Sequence, residues 1–282
     1  METDVKRFPE TPALDDGSEF SGHVWIQELP TGGPFRFRVA PSGLVTFATA
    51  DGRFDAVESV PPPYRRGAEL INADLGRAAL QAATDEPERV TFCGLATRYE
   101  GSEYDWERLP AFVGTDVWKA ETLLSPDRAT GVFERLGLPT LPAVEKERPA
   151  AHADVGRFAD AAELPPSAWR DGTAAGVLIR DKSGTRASVW RPMNEASPPA
   201  PTQQTPSELA ATYATDERIE RTVARLRDDG QKLTVDAIRD RIVADVAREA
   251  YATLYPDGEF VTSERAFESA VAERVQRHRS PT

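Results

Sequence analysis

The chain reads as an α+β protein, built of antiparallel strands with a few helices and followed by a small all-helical module. Three observations predict this. From His23 onward, short apolar runs alternate with turn signals, the pattern of strands that bury one face. Pro198, Pro199, Pro201 and Pro206, with Gln203 and Gln204 among them, then form a stretch that can continue neither strand nor helix. Beyond it, apolar residues recur at helical spacing behind Thr and Ser residues suited to capping. The expected organisation is an irregular lead-in at 1–20, an α+β domain at 21–195, a linker at 196–206 and a helical module at 207–282.

Each element has its own signal. Phe35, Phe37 and Val39 alternate with Arg36 and Arg38, which predicts a half-buried strand. Pro41-Ser42-Gly43 is a turn, and 44–48 returns as a second strand. Leu70, Ile71, Leu75, Ala78, Ala79 and Leu80 predict helix within 64–83. Further strands are expected at 90–96, 112–118, 175–180 and 186–190, and a helix at 127–136 that Gly137 stops. In the module, Leu209, Tyr213, Val223 and Leu226 mark one helix closed by Gly230. Thr234 caps a second, with Val235, Ile238, Ile242 and Val246 as its stripe. Ser263 caps a third, striped by Phe267, Val271 and Val275. These stripes read as core.

Composition narrows the function classes. With 282 residues and 40% apolar content, the chain can bury one sizeable core and a small second one. No run approaches the ~20 apolar residues of a membrane span. The charged, proline-bearing residues 1–10 carry no apolar signal region, so a cytoplasmic protein with no membrane partner is expected. Cys93 is the only cysteine, which leaves no internal disulfide and reads as a small buried hydrophobe. His23, His152 and His278 lack zinc-ligand spacing, and phosphate-loop, dinucleotide and nucleophile-elbow motifs are absent, so no metal residues are expected. Net charge is −12, and the lysines are only Lys6, Lys119, Lys146, Lys182 and Lys232. That balance is expected of a halophile, whose acidic surface keeps it soluble in salt. Any phosphate-binding groove must then be a local cationic patch.

Four segments, in order, carry a resemblance. The first is 23–37, with Glu28-Leu29-Pro30-Thr31-Gly32-Gly33 leading into Phe35-Arg36-Phe37. The second is the strand Val90-Thr91-Phe92-Cys93-Gly94-Leu95-Ala96. The third runs from Tyr104-Asp105-Trp106 through Pro110-Ala111-Phe112 to Asp116-Val117. The fourth pairs Ala174-Ala175-Gly176-Val177-Leu178-Ile179-Arg180 with Gly184-Thr185-Arg186-Ala187-Ser188-Val189. Taken together, over about residues 20–255, they resemble an RNA ligase-like family of haloarchaeal type within the ATP-dependent covalent nucleotidyltransferases. The resemblance implies two antiparallel sheets with helices, an ATP-grasp-like ligase domain, and a helical C-terminal domain. It implies ATP and Mg²⁺ as cofactors of an active member, and RNA as the substrate.

The departures fall on the chemistry. The family's nucleophilic lysine aligns with Leu29, and the aspartate of the same motif with Thr31. Its two glutamates align with Leu95 and Ala175, and the lysine of its closing strand with Ser188. Attack on phosphorus needs a deprotonated amine, and Leu29 has none. Lys182 is the one lysine near a motif strand, in a hairpin turn where a solvated side chain is the ordinary role. The resemblance leaves Glu28, Arg36, Arg38, Phe92, Asp116, Arg180 and Arg186 as candidate nucleotide-binding residues. For each, strand-face or core packing is the competing role. Three readings follow: a degenerate ligase-like protein binding RNA ends or a nucleotide, with an active paralogue as a partner; an active ligase with Lys182 as nucleophile and Glu28, Asp116 or both near a metal; or a structural or protein-interaction domain without nucleotide.

Overall fold

The computed structural model describes residues 6–15, 18–192 and 204–280. The chain divides into two compact units, Met1–Asn194 and Glu195–Thr282. The first has the expected α+β character. Its elements run β1 (His23–Leu29), β2 (Gly32–Val39), β3 (Val45–Ala48), β4 (Arg53–Phe54), α1 (Pro62–Asp74), α2 (Arg77–Ala83), β5 (Val90–Thr97) and β6 (Phe112–Lys119). They continue with β7 (Thr122–Leu123), α3 (Pro126–Arg135), β8 (Ala143–Pro149), β9 (Gly176–Asp181) and β10 (Arg186–Trp190). Two sheets result, with strand orders β10-β9-β1-β8 and β4-β3-β2-β5-β6-β7. Every pairing between these strands is antiparallel.

Strand alternation sorts the side chains into layers. Phe35, Phe37 and Val39 of β2 point to one face and meet Phe92, Phe112, Ile71 and Phe133 in the main core. Phe37 stacks on Phe92 with ring centroids 4.6 Å apart. On the smaller sheet, Val24, Ile26, Val177 and Ile179 pack against Phe158 and Leu164. The remaining faces look toward each other across a third cluster, to which β1 and β9 contribute Leu29 and Leu178 and β6 contributes Val113. One irregularity sets this up. In the β5–β6 register, Cys93 opposes Asp116 while Gly94 opposes Gly114, so Thr115 is an extra residue. The bulge lets Val113 and Asp116, three apart, project to the same face.

The helical region expected within 64–83 is two helices. Leu75 leaves the helical conformation, and the Gly76 N–H donates to the Leu136 carbonyl (2.8 Å). That tertiary contact overrides the local periodicity. Strand β8 carries Glu145, Lys146, Glu147 and Arg148, a charged sequence that alternation of apolar residues does not reveal; it forms the edge beside β1.

The second unit holds α4 (Pro206–Tyr213), α5 (Asp216–Asp228), α6 (Val235–Glu249), α7 (Tyr251–Leu254) and α8 (Glu264–Arg279). The single helix expected over 209–226 is likewise two, because Thr215 caps a new start by accepting from the Arg218 N–H. Thr234 and Ser263 cap α6 and α8 as the sequence suggested. Of the expected linker, 196–203 lie outside the described residues. Its last two positions start α4: Thr205, still extended, caps the helix and forms a capping box with Glu208, and Pro206 takes the first helical position, where its missing N–H costs nothing. Leu209, Ile219, Leu226, Ile242, Phe267 and Val271 build this unit's core. Among the described residues no helix is long and apolar enough to cross a membrane.

Two glycines test the packing in opposite directions. A Cβ at Gly94 would stand 2.3 Å from the Val113 carbonyl and 2.4 Å from the Phe112 ring, whereas one at Gly131, inside α3, meets nothing within 4 Å. Gly94→Ala is expected to destabilise by about 1–3 kcal/mol through overpacking. Gly131→Ala is expected to stabilise by roughly 0.5–1 kcal/mol through helix propensity. Urea unfolding followed by circular dichroism measures both.

Candidate functional site: an arginine cluster beside an apolar plug

The facing surfaces of the two sheets are built in rows. On the larger sheet, Arg36 opposes Cys93, which opposes Asp116. Pro34, Leu95 and Val113 form the parallel row on the same face, and Arg38 bonds to Thr91 Oγ1 (2.7 Å) in the next. On the smaller sheet, Trp25 opposes Arg180, which opposes Arg186; Gln27, Leu178 and Ser188 form the next row, and Leu29 and Gly176 the last. Polar rows therefore meet polar rows at one end of the cleft, and apolar rows meet at the other.

At the polar end, Asp116 holds the two sheets together. Its Oδ1 accepts from Arg180 Nη1 and Arg186 Nη2, each at 3.0 Å, and its Oδ2 from Arg186 Nη2 at 3.1 Å. Arg180 Nη1 also donates to the Thr115 carbonyl that the bulge exposes (2.6 Å), and Nη2 donates to Gln27 Oε1. Gln27 passes the network on through Nε2 to the Leu141 carbonyl (3.1 Å). Burial pushes the Asp116 carboxyl up, but Arg180 and Arg186 outweigh it and hold the group below its ordinary 3.8. Burial, helped by the same carboxylate, drives the Cys93 thiol far upward, so this cysteine is an inert core residue.

At the other end, Leu29, Val113, Ala175 and Leu178 form one buried cluster with Tyr104 and Trp169, and Leu95 packs against it. Leu29, Leu95 and Ala175 are three of the positions at which the resemblance expects a lysine and two glutamates. Thr31 has become structural: its N–H donates to the Tyr104 hydroxyl (3.0 Å) and its Oγ1 to the Arg98 carbonyl (2.7 Å). Ser188 serves the N-terminal segment, its N–H donating to Pro12 and its carbonyl accepting from Leu14. Trp169 sits on a strap whose Ser167 Oγ and Ala168 N–H donate to the two oxygens of Glu28, at 2.5 and 2.8 Å. Burial of Glu28 raises its pKa despite those bonds and the nearby Arg108 and Arg170.

The candidate residues are thus divided. Asp116, Arg180 and Arg186 share one ion cluster, and Arg36 and Arg38 lie on the facing sheet beside it. Arg36 also donates to the carbonyls of Lys6 (3.1 Å) and Thr49 (2.5 Å). Glu28 fastens the strap. Phe92 points the other way, fully buried in the aromatic core. Lys182 lies in the β9–β10 turn, 45% exposed, with its Nζ 2.9 Å from Glu147 and 3.8 Å from Asp127. The bond to Glu147 raises its pKa, the opposite of what a nucleophilic amine needs. Gln27 and Tyr104 lie in the first and third resemblance segments but were not among the candidate site residues, and Trp169 lies outside every segment; a glutamine inside the apolar run of β1 was the one available signal.

An open cleft adjoins the ion cluster, lined by Asp116, Arg180 and Arg186, by the turn 181–185, and by Ser125 and Pro126 at the start of α3. Among the described residues, no group of three or more His, Cys, Asp and Glu side chains is placed to hold a metal ion. Leu95 and Ala175 cannot ligate one either, so the residues at the apolar end do not fit a nucleotide with its divalent metal.

No protein-family model matches the chain, and no curated protein matches it. Among solved structures it is similar to two forms of an archaeal ATP-dependent RNA ligase. The first shares 15% identity at a TM-score of 0.48, covering 97% of this chain and 65% of that one. The second shares 16% at 0.47, covering 96% and 62%. A Naegleria gruberi RNA ligase mutant with ATP and Mn is similar at 11% identity and a TM-score of 0.44, covering 60% of this chain and 49% of that one. The chain spans less than two thirds of the length of the archaeal ligases.

Removing the shared carboxylate should expose its role. Asp116→Asn leaves two buried guanidinium groups without a counter-charge and is expected to cost about 3–5 kcal/mol at pH 7. Because the folded pKa is depressed, the carboxylate's stabilisation is fully present above about pH 3.8 and is lost as pH falls through the folded value. The gap between wild type and Asp116→Asn in urea midpoint should therefore narrow once the pH drops below that value.

Proposed function

We propose that this chain is an RNA ligase-like protein of a salt-adapted cytoplasm that binds RNA ends non-covalently and has lost lysine–AMP chemistry. One observation carries the reading. Leu29, Leu95 and Ala175, far apart in sequence, meet in a single apolar cluster closed by Tyr104 and Trp169. A random loss of catalytic residues would leave a polar hole; here the space is filled with packed side chains. An amine or carboxylate placed there would lose its hydration without gaining a partner, a cost of several kcal/mol.

What stays suited to an anion is the other end of the cleft. Arg36, Arg38, Arg180 and Arg186 lie there, and guanidinium forks match phosphate oxygens. In a chain of net charge −12, such a local cluster is the form a phosphate-binding surface has to take. ATP and Mg²⁺ are not part of this reading, and any joining chemistry would come from an active paralogue acting on the bound end.

Incubation with α-labelled ATP and Mg²⁺ or Mn²⁺ in high salt, followed by a denaturing gel, is expected to show no protein-bound label. A labelled band that Lys182→Ala abolishes would establish the active-enzyme reading instead. Saturable binding of a 5′-phosphorylated RNA oligomer is expected in the same buffer. Arg38→Ala should lower the magnitude of the salt slope of that binding by about 0.7–1. Absence of saturable RNA binding would favour a purely structural domain.

A further inference from the structure

We propose that residues 6–14 form a hinged strap that closes the polar end of the cleft and controls whether an anion reaches Arg36. The ligand it excludes is taken from the RNA-end reading, on which this inference rests; the strap adds regulation of that site. The segment is fastened to both sheets. At one end, Lys6 pairs with Glu121 in the β6–β7 turn of the larger sheet, and its carbonyl accepts from Arg36 Nη1 of β2 (3.1 Å). At the other end it lies beside β10, the end strand of the smaller sheet. There the Pro12 carbonyl accepts from the Ser188 N–H (2.8 Å), and the Leu14 N–H donates to the Ser188 carbonyl (2.9 Å). The chain between therefore passes from one sheet to the other, on the side where β10 carries Arg186.

The two ends are held with different strength. Leu14 packs with Phe20 against the apolar face of Val24, Ile26, Val177 and Ile179, so its end is an anchor. Pro12 has no N–H with which to continue the pairing along β10, so the ladder stops there. Among the described residues, 7–11 make no hydrogen bond to either sheet. The Lys6 end depends on its bond from Arg36 and on an ion pair whose Glu121 side chain is 85% exposed, and such surface pairs contribute little. Opening therefore begins at Lys6, with the segment swinging about Pro12 on its Leu14 anchor. In the closed position Arg36 spends Nη1 on Lys6 and Nη2 on Thr49, while its Nε is buried without a partner. Arg36 stands in the row of Cys93 and Asp116, and release of Lys6 returns Nη1 to the cleft. A charged oxygen is a stronger partner for a guanidinium than a neutral carbonyl, so an anion can compete the strap away.

The test uses the full chain with Lys6→Cys and Glu121→Cys joined by a short bis-maleimide whose central disulfide can be reduced; Cys93 is buried and stays unlinked. Modification of Arg36 by phenylglyoxal, followed by peptide mass spectrometry, is expected to slow several-fold in the linked form and to recover on reduction. Lys6→Glu, which turns the ion pair into a repulsion, should speed it, with the circular dichroism spectrum unchanged. Binding of a 5′-phosphorylated RNA oligomer should weaken by about tenfold in the linked form and return on reduction, because the open state is the competent one. Equal modification of Arg36 in the linked, reduced and Lys6→Glu proteins would overturn the strap. A link that shields Arg36 but leaves RNA binding unchanged would also overturn it, while the RNA-end reading stands. If the reduced protein binds no RNA and Arg36 still follows the link, the RNA-end reading fails and the strap stands.

Discussion

The joint between the two sheets is the buried bond of Asp116 to Arg180 and Arg186, and the rest of the first unit is arranged around it. The carboxylate comes from β6, next to the edge of one sheet, and the guanidinium groups from the neighbouring strands β9 and β10 at one end of the other. It reaches them because Thr115 is bulged, which turns Asp116 onto the inner face and frees the Thr115 carbonyl for Arg180. Such a cluster contributes little net stability compared with well-packed apolar residues, but breaking it is expensive. Its main effect is geometric: it fixes how far apart the sheets stand, and so how much room the apolar rows have to close.

The closing is thorough. Leu29 and Leu178 from one sheet meet Val113 from the other, and Trp169 is laid over them by a strap tied at two points. Glu28 accepts from Ser167 and Ala168, and the Trp169 carbonyl accepts from the Asp105 N–H at 3.0 Å. Arg108 adds a bond to the Ala168 carbonyl (2.7 Å). A cleft that could hold a polar ligand along its whole length is thereby divided into a dry end and a cationic end. Only the cationic end retains chemistry that an anion could use.

Four strands of the larger sheet, β2, β3, β5 and β6, were legible in sequence because one of their faces is buried, which writes period two into β2 and a near-continuous apolar run into β5 and β6; the two-residue strands β4 and β7 were not. β8 was not, since an edge strand exposed on much of its length can carry charges in any order. The helix breaks at Leu75–Gly76 and Ala214–Thr215 were missed for different reasons. The first depends on a carbonyl of Leu136, sixty residues away, while the second rests on a Thr cap that the stripe of Leu209, Tyr213 and Val223 ran straight through. At the site, the departures from the resembled family's motifs could be listed from sequence one by one. That Leu29, Leu95 and Ala175 converge could not, because their contacts span separations of 66 and 80 residues or more and depend on Trp169, which no motif marked.

The most direct measurement is the solvent accessibility of Trp169 during an ATP titration. A variant with Trp25, Trp106, Trp118 and Trp190 replaced by Phe leaves Trp169 as the only tryptophan of five, and acrylamide quenching then reports on the strap alone. A filled cleft predicts that Trp169 stays shielded, at the same quenching constant, from zero to millimolar ATP with Mg²⁺. A saturable rise in quenching with ATP would show the strap leaving and a nucleotide taking its place, and would contradict the filled cleft.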